Sequence, residues 1–326
     1  MKKSFLIGAV ALAAAGAANA QLSIYGLLDV SYGKSVADDI NDLKSDIHSG
    51  GDDGNSQGNS TSRFGLKGST DLGGGIKANF KLESNGITST GAVNDPFFGR
   101  QAWFGLSGGF GEVRIGRQDS VPFQTMIDFD FNGASNGVSA GGYSLVGPWG
   151  AALSRQSHAV NYISPTIGGF SAQVGIQPKG NQTDGRGDKD VISFGAKFAT
   201  GPVAVAATYE SKRDTTTKAF TAFAGSYDLG VVKLMASYAD GGKIVDGGSG
   251  KGFMLGLNAP VAGFNIGGLF GKNSDDDLKA TAYELWINKE IFKNTIAYAE
   301  VGNAKYKAVS PNVKGTGYAL GMIYVF

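Results

Sequence analysis

The chain has 326 residues, 52 of them glycine and none cysteine, and 29 basic against 28 acidic side chains give a net charge of +1. Without cysteine there are no disulfides, thiolate metal sites, iron–sulfur clusters or thiol nucleophiles, and two histidines, His48 and His158, leave little for general-base or metal chemistry. A near-neutral balance argues against an electrostatic nucleic-acid binder, a 42% hydrophobic content against disorder, and the absence of a Gly-X-Y period against collagen.

The first element in the chain reads as an address. Lys2 and Lys3 precede an apolar stretch from Phe5 to Ala18, and Ala18-Asn19-Ala20 is a small-x-small cleavage pattern. About fourteen apolar residues are too few to cross a bilayer as a helix. A cleaved signal peptide over residues 1–20 is therefore expected, cut between Ala20 and Gln21, and the mature chain leaves the cytoplasm. No later stretch replaces it as a helical span. The longest uncharged one, Phe131–Ser154, is mostly Gly, Ser, Asn and Ala.

From Gln21 onward the chain alternates with period two, which means strands. Ile76, Ala78, Phe80 and Leu82 interleave with Lys77, Asn79, Lys81 and Glu83. Phe170, Ala172, Val174 and Ile176 do the same with Ser171, Gln173 and Gly175, and so do Ile192, Phe194, Ala196 and Phe198 with Ser193, Gly195 and Lys197. The polar face carries much Gly, Ser, Asn and Gln, which suits a wet lumen behind an apolar, lipid-facing wall.

Seven short turns punctuate the strands: Asp71–Gly75, Gly108–Gly111, Pro165–Gly169, Thr200–Pro202, Tyr227–Gly230, Pro260–Gly263 and Asn288–Asn294. They alternate with eight longer polar segments: Lys34–Ser60, Asn85–Phe98, Gln118–Gln156, Pro178–Lys189, Ser211–Lys218, Asp240–Lys251, Lys272–Lys279 and Asn303–Lys314. The expectation is an all-β, transmembrane antiparallel β-barrel of about 16 strands over residues 21–326, with short periplasmic turns and long external loops. Its last strand, Gly315–Phe326, points Tyr318, Leu320, Met322, Tyr324 and Phe326 outward.

A barrel strand ending on Phe resembles the assembly signal of Gram-negative outer-membrane porins, and the whole mature chain resembles the general trimeric porins. Leu22-Ser23-Ile24-Tyr25-Gly26-Leu27-Leu28-Asp29 is similar to the first strand of that family. Ser62-Arg63-Phe64-Gly65-Leu66-Lys67-Gly68 with Asp71-Leu72-Gly73-Gly74-Gly75 is similar to its second strand and first turn. Arg100 to Gly108 and Gly111 to Gln118 resemble its fourth and fifth strands.

The resemblance implies a homotrimer in the outer membrane, surrounded by lipid and lipopolysaccharide, passing small hydrophilic solutes and ions and holding no cofactor. It also implies a third external loop folded into the pore opposite a basic cluster. Arg63, Arg100 and Arg155 fall where anion-preferring members carry pore arginines. By alternation alone, Arg63 and Lys67 share the lumen face of the second strand, and Arg114 points inward on the fifth. Arg100 has the wrong parity, because Ala102, Phe104 and Leu106 face out, so it belongs at the strand mouth or on a bulge. Arg155 rests on its spacing to Asn161 and Tyr162. Asp119, Asp128 and Asp130 are expected on the constriction loop, facing the arginines and setting a transverse field.

Other motifs lack the context their chemistry needs. Gly133-Ala134-Ser135-Asn136-Gly137 fits G-x-S-x-G but lies in a Gly-rich loop and not on a strand-to-helix elbow. Gly247–Gly252 lacks phosphate-loop spacing, and the acidic runs at Asp52 and Asp275 lack EF-hand spacing. A substrate-specific channel would need an aromatic track, for which inward Trp103 and Trp286 are the hint. A barrel enzyme would have to pair Ser135 with His158, or Asp52 with His48. The sequence favours a passive, weakly anion-preferring pore that is not an enzyme.

Overall fold

The computed structural model describes residues 21–151, 153–180, 187–244, 247–307 and 313–326. The expected signal peptide, with Ala20 at its cleavage point, lies outside the described residues.

Sixteen strands form the wall. The first eight are β1 (Gln21–Lys34), β2 (Arg63–Gly73), β3 (Ile76–Glu83), β4 (Gln101–Gly108), β5 (Gly111–Asp119), β6 (Arg155–Ile163), β7 (Phe170–Gln177) and β8 (Val191–Thr200). The second eight are β9 (Val203–Glu210), β10 (Phe220–Asp228), β11 (Lys233–Gly241), β12 (Gly252–Val261), β13 (Phe264–Asn273), β14 (Ala280–Phe292), β15 (Thr295–Tyr306) and β16 (Val313–Val325). Each pairs antiparallel with its neighbours in sequence, and β1 also pairs with β16, from Leu27↔Val325 to Lys34↔Tyr318, which closes the barrel. Closure leaves no open edge, as lipid requires.

One edge needs separate cover. β2 pairs with β1 only from Gln21↔Ser69 to Leu27↔Arg63, so the loop end of β1 would lack a partner on that side. A short strand in the first loop, Asp46–Ser49, takes over from Val30↔Ser49 to Gly33↔Asp46. The ladder therefore continues past the point where β2 stops.

The outward positions are the apolar ones. Leu22, Ile24, Leu28 and Val30 on β1, Phe104 and Leu106 on β4, and Leu320 and Met322 on β16 are all exposed. Two rows of exposed aromatics bound this belt: Tyr32, Tyr209, Tyr238, Tyr283 and Tyr318 near the loop end, and Phe110, Phe170, Tyr227, Phe292 and Tyr324 near the turn end. Aromatic rows at both rims, all tyrosine at the loop end and mixed Phe and Tyr at the turn end, fit a bilayer interface.

The inner wall is not uniformly wet. The segment between β5 and β6 folds into the barrel, carrying the helices Val121–Met126 and Ala140–Ser144. Ser120 Oγ caps the first by accepting from the Phe123 N–H at 3.2 Å, and Ser139 Oγ caps the second by accepting from Gly142 N–H at 2.9 Å. Met126, Phe129 and Val146 from this loop bury against Ala206, Ala222, Ala224, Met254, Leu269, Ala282 and Trp286 of the wall. Each large apolar side chain so buried contributes roughly 1.5–3 kcal/mol to docking. Small residues make the approach possible: a Cβ on Gly302 of β15 would lie 2.6 Å from Val138 O and 2.7 Å from Val138 Cβ. The inward Ala and Gly positions on β9–β15 thus seat a loop where alternation alone suggested water-facing wall.

Candidate pore constriction

The docked loop leaves a space of about 440 Å³ between itself and the opposite wall, lined by Arg63, Arg100 and Arg155 on one side and by Phe123, Ile127 and Trp149 on the other. Arg63 stands at the loop end of β2, Arg155 at the loop end of β6, and Arg100 immediately before β4. Arg100 therefore sits at the strand mouth, where its parity placed it, and its side chain turns in to reach Glu83 on β3.

Glu83 organises this wall. Its Oε1 accepts from Arg100 Nε–H at 2.8 Å and lies 3.7 Å from Arg63 Nε. Its Oε2 accepts from Tyr25 O–H at 2.7 Å and lies 3.3 Å from Lys81 Nζ. Arg63 is also braced from behind, donating through a terminal nitrogen to Thr61 O at 2.7 Å. Asp119 and Arg155 are cross-strand partners with an ion pair of 3.1 Å. Four cations (Arg63, Lys81, Arg100 and Arg155) thus share two carboxylates, Glu83 and Asp119. A water-filled passage beside that cluster has an excess positive potential.

A second space, of about 540 Å³, opens towards the turn end and is lined by Lys67, Lys81, Trp103 and Glu112. Lys67 points into it with Nζ 5.2 Å from the Tyr25 ring centre. Arg114 joins the same group, donating to Glu112 at 2.6 Å and lying 4.5 Å over the Trp103 ring.

The three expected loop acids part company. Asp119 is the last residue of β5, so it stands on the arginine wall itself and not across from it. Asp128 is on the loop and exposed, but Lys197 of β8 donates to it at 2.6 Å, which turns it away from the arginines. Asp130 is buried behind the loop. Loss of solvent raises its carboxyl from the usual 3.8 to about 6, against the Ala134 and Asn132 N–H bonds that favour the anion and with a smaller push upward from the Glu300 carboxylate. Asp130, Glu284 and Glu300 form a buried acidic group there, and Glu300 accepts from Asn59 at 2.8 Å, Asn132 at 3.0 Å and Ser135 at 2.9 Å. The loop surface that shares this space with the arginines presents Phe123, Ile127, Trp149, Ala134 and Asn136 and no carboxylate, which corrects the expected arginine-against-carboxylate eyelet.

Sequence reasoning passed over Glu83, Lys81 and Tyr25. The signal was present for the first two, which share the inward parity of β3, but nothing in the sequence said that three cations converge on Glu83. The hydrolase-like candidates are absorbed by the fold. Ser135 Oγ donates to Glu300, whereas His158 is exposed on β6; His48 lies 3.9 Å from Asp52, whose carboxylate accepts from the Ser49 and Ser89 N–H groups. Trp286 packs behind the loop, and Trp103 lies under Arg114.

A family model described as Gram-negative porin matches residues 8–309 of the chain. The chain belongs to the Gram-negative porin family. Outer membrane porin protein 32 of Delftia acidovorans is 32% identical over 333 residues, covering 95% of this porin and 91% of that protein. An outer membrane porin of Bordetella pertussis is 29% identical with 100% of both chains covered. Among solved structures, an anion-selective porin from Comamonas acidovorans superposes with a TM-score of 0.71 at 24% identity, covering 94% of this porin and 100% of that chain. The barrel, the outer-membrane location and the channel character follow from this membership.

Proposed function

We propose that this porin is a passive diffusion pore for small hydrophilic solutes and ions, with a weak preference for anions. The observation that carries the reading is the wall of four cations and two carboxylates beside the docked loop. Arg63, Arg100 and Arg155 supply the selectivity at the constriction, and Lys67 and Arg114 extend the positive potential towards the turn end. Asp119 and Asp128 are local counter-charges, each already paired, while Asp130 holds the loop and takes no part in filtering ions. A solved relative named as anion-selective supports the same sign.

The working form in this reading is a homotrimer of barrels over residues 21–326, exported by a signal peptide over residues 1–20, in contact with lipid and lipopolysaccharide, without a cofactor and without enzymatic activity. Purified protein in a planar bilayer should give stepwise, near-ohmic openings and a reversal potential on the chloride side under a KCl gradient. Replacing Arg63 and Arg155 by Ser should move that potential towards potassium. Correctly folded protein without channels, or a potential unmoved by the double replacement, would overturn the reading.

A further inference from the structure

The constriction sets three arginines against a loop face that carries two aromatic rings, Phe123 and Trp149, beside Ile127, Ala134 and Asn136. Phe123 and Trp149, both on the docked loop, meet edge to face with ring centres 5.7 Å apart and an interplanar angle of 70°. Both line the same 440 Å³ space as Arg63, Arg100 and Arg155, and the Arg155 guanidinium lies 6.0 Å from the Phe123 ring centre. A hydrated inorganic anion is drawn to the arginines but gains nothing from π faces, whose quadrupole is negative. A planar aromatic anion meets both walls at once. Its carboxylate fits the guanidinium fork, and its ring packs edge to face against Phe123 and Trp149.

The donors on the arginine wall are incompletely used. Arg100 gives Glu83 its Nε–H, which leaves the planar terminal fork for another anion. Arg155 Nε approaches Asp119 without hydrogen-bond alignment and is buried with no hydrogen-bond partner. The 440 Å³ space falls within the usual ~300–1,000 Å³ of small-molecule sites. We infer that the constriction is a weak, saturable binding site for aromatic carboxylates of benzoate size, which would cross this pore by way of the site. The inference rests on the anion-preferring pore proposed above and adds a substrate class to it.

The test is chloride current through the full-length mature porin in planar bilayers, titrated with sodium benzoate, cyclohexanecarboxylate or acetate. Benzoate should reduce the current in a saturable way, at a half-blocking concentration about tenfold below that of acetate, as one favourable ring contact would give. Cyclohexanecarboxylate, with the same charge but no π system, should resemble acetate. In a Phe123→Leu, Trp149→Leu double variant the ratio of benzoate to acetate half-blocking concentrations should fall to within about twofold of one. Trp149→Phe should keep most of the discrimination. Because each ratio is internal to one variant, a change in open conductance does not confound it.

Equal block by benzoate and acetate in the wild type overturns the inference, and so does discrimination that survives the double variant. Equal block by cyclohexanecarboxylate and benzoate overturns its aromatic element. An anion-preferring channel with no benzoate discrimination sinks this inference alone, whereas a cation-preferring channel sinks the pore reading with it.

Discussion

Glu83→Gln is the sharpest perturbation of the proposed constriction. It keeps the side-chain volume and removes the one carboxylate that Arg100, Arg63, Lys81 and Tyr25 share. The four-cation wall is then left with Asp119 as its single counter-charge. A unit charge about 6 Å from a passing monovalent ion in water changes its energy by roughly 0.7 kcal/mol. The sign is opposite for chloride and potassium, so the permeability ratio moves by about 1.4 kcal/mol, or about tenfold, before screening. A Debye length of ~10 Å at 0.1 M salt leaves about half of that, a three- to fourfold rise in anion preference; ~3 Å at 1 M leaves about a 1.4-fold rise. The assay is the reversal potential across a planar bilayer under matched KCl gradients at low and at high mean salt. Arg100→Ser should shift the ratio by a similar factor in the opposite direction. No shift in Glu83→Gln, a shift towards potassium, or a shift of equal size at both salt levels would refute the electrostatic argument.

Two further predictions concern the docked loop. Gly302→Val puts a branched side chain where Val138 already stands, so it should displace the loop at a cost of about 1–3 kcal/mol and raise single-channel conductance, provided unheated gel mobility shows a folded barrel. An unchanged conductance would mean that the loop does not set the pore width. Asp130, with its carboxyl raised to about 6 by burial and by Glu300, favours docking in its protonated form. Docking should be strongest below about pH 4 and weaken as pH rises from there through about 6, as ionised Asp130 comes to face the carboxyls of Glu284 and Glu300. Protease nicking of the loop as a function of pH reads this, and Asp130→Asn should flatten the rise between about pH 4 and 6.

Most of the barrel was legible because the membrane imposes a simple code. Every strand must present apolar side chains outward, so period-two alternation marks strands, and the alternation of short turns with long loops gives their number and direction. Residues such as Phe104, Ile115 and Leu320 can be assigned to the outer face by parity alone, and all are exposed there. The same parity put Arg63, Lys67 and Arg114 inside and predicted that Arg100 would need a strand mouth. It also reaches Lys81 and Glu83. What parity cannot give is which inward residues meet across the lumen, because that depends on side-chain reach between strands and on the path of a 35-residue connection from Ser120 to Ser154.

The misplacement of Asp130 follows from the same limit. An acid on a loop inside a charged pore looks like a counter-charge, and polarity alone gives it no other use. Yet the wall beneath the loop presents Ala206, Ala222, Ala224 and Ala282 on β9, β10 and β14, residues too small to line a water-filled bore economically but well suited to receive another layer. A sequence reading that weighed those inward alanines, with Gly302, would have seated the loop on that side. Seating it there puts its polar underside, Asn132, Ser135 and Asp130, beside Glu284 and Glu300, where Asn132 and Ser135 donate to Glu300 while Asp130 Oδ2 and both Glu284 oxygens are buried without a hydrogen-bond partner. The opposite face of the loop then offers the arginines Phe123, Ile127 and Trp149 together with Gly133, Ala134 and Asn136, and no carboxylate among the described residues. The aromatic wall of the constriction and the buried acids behind the loop are therefore two consequences of one docking direction, and a variant that loosens the docking should alter both together.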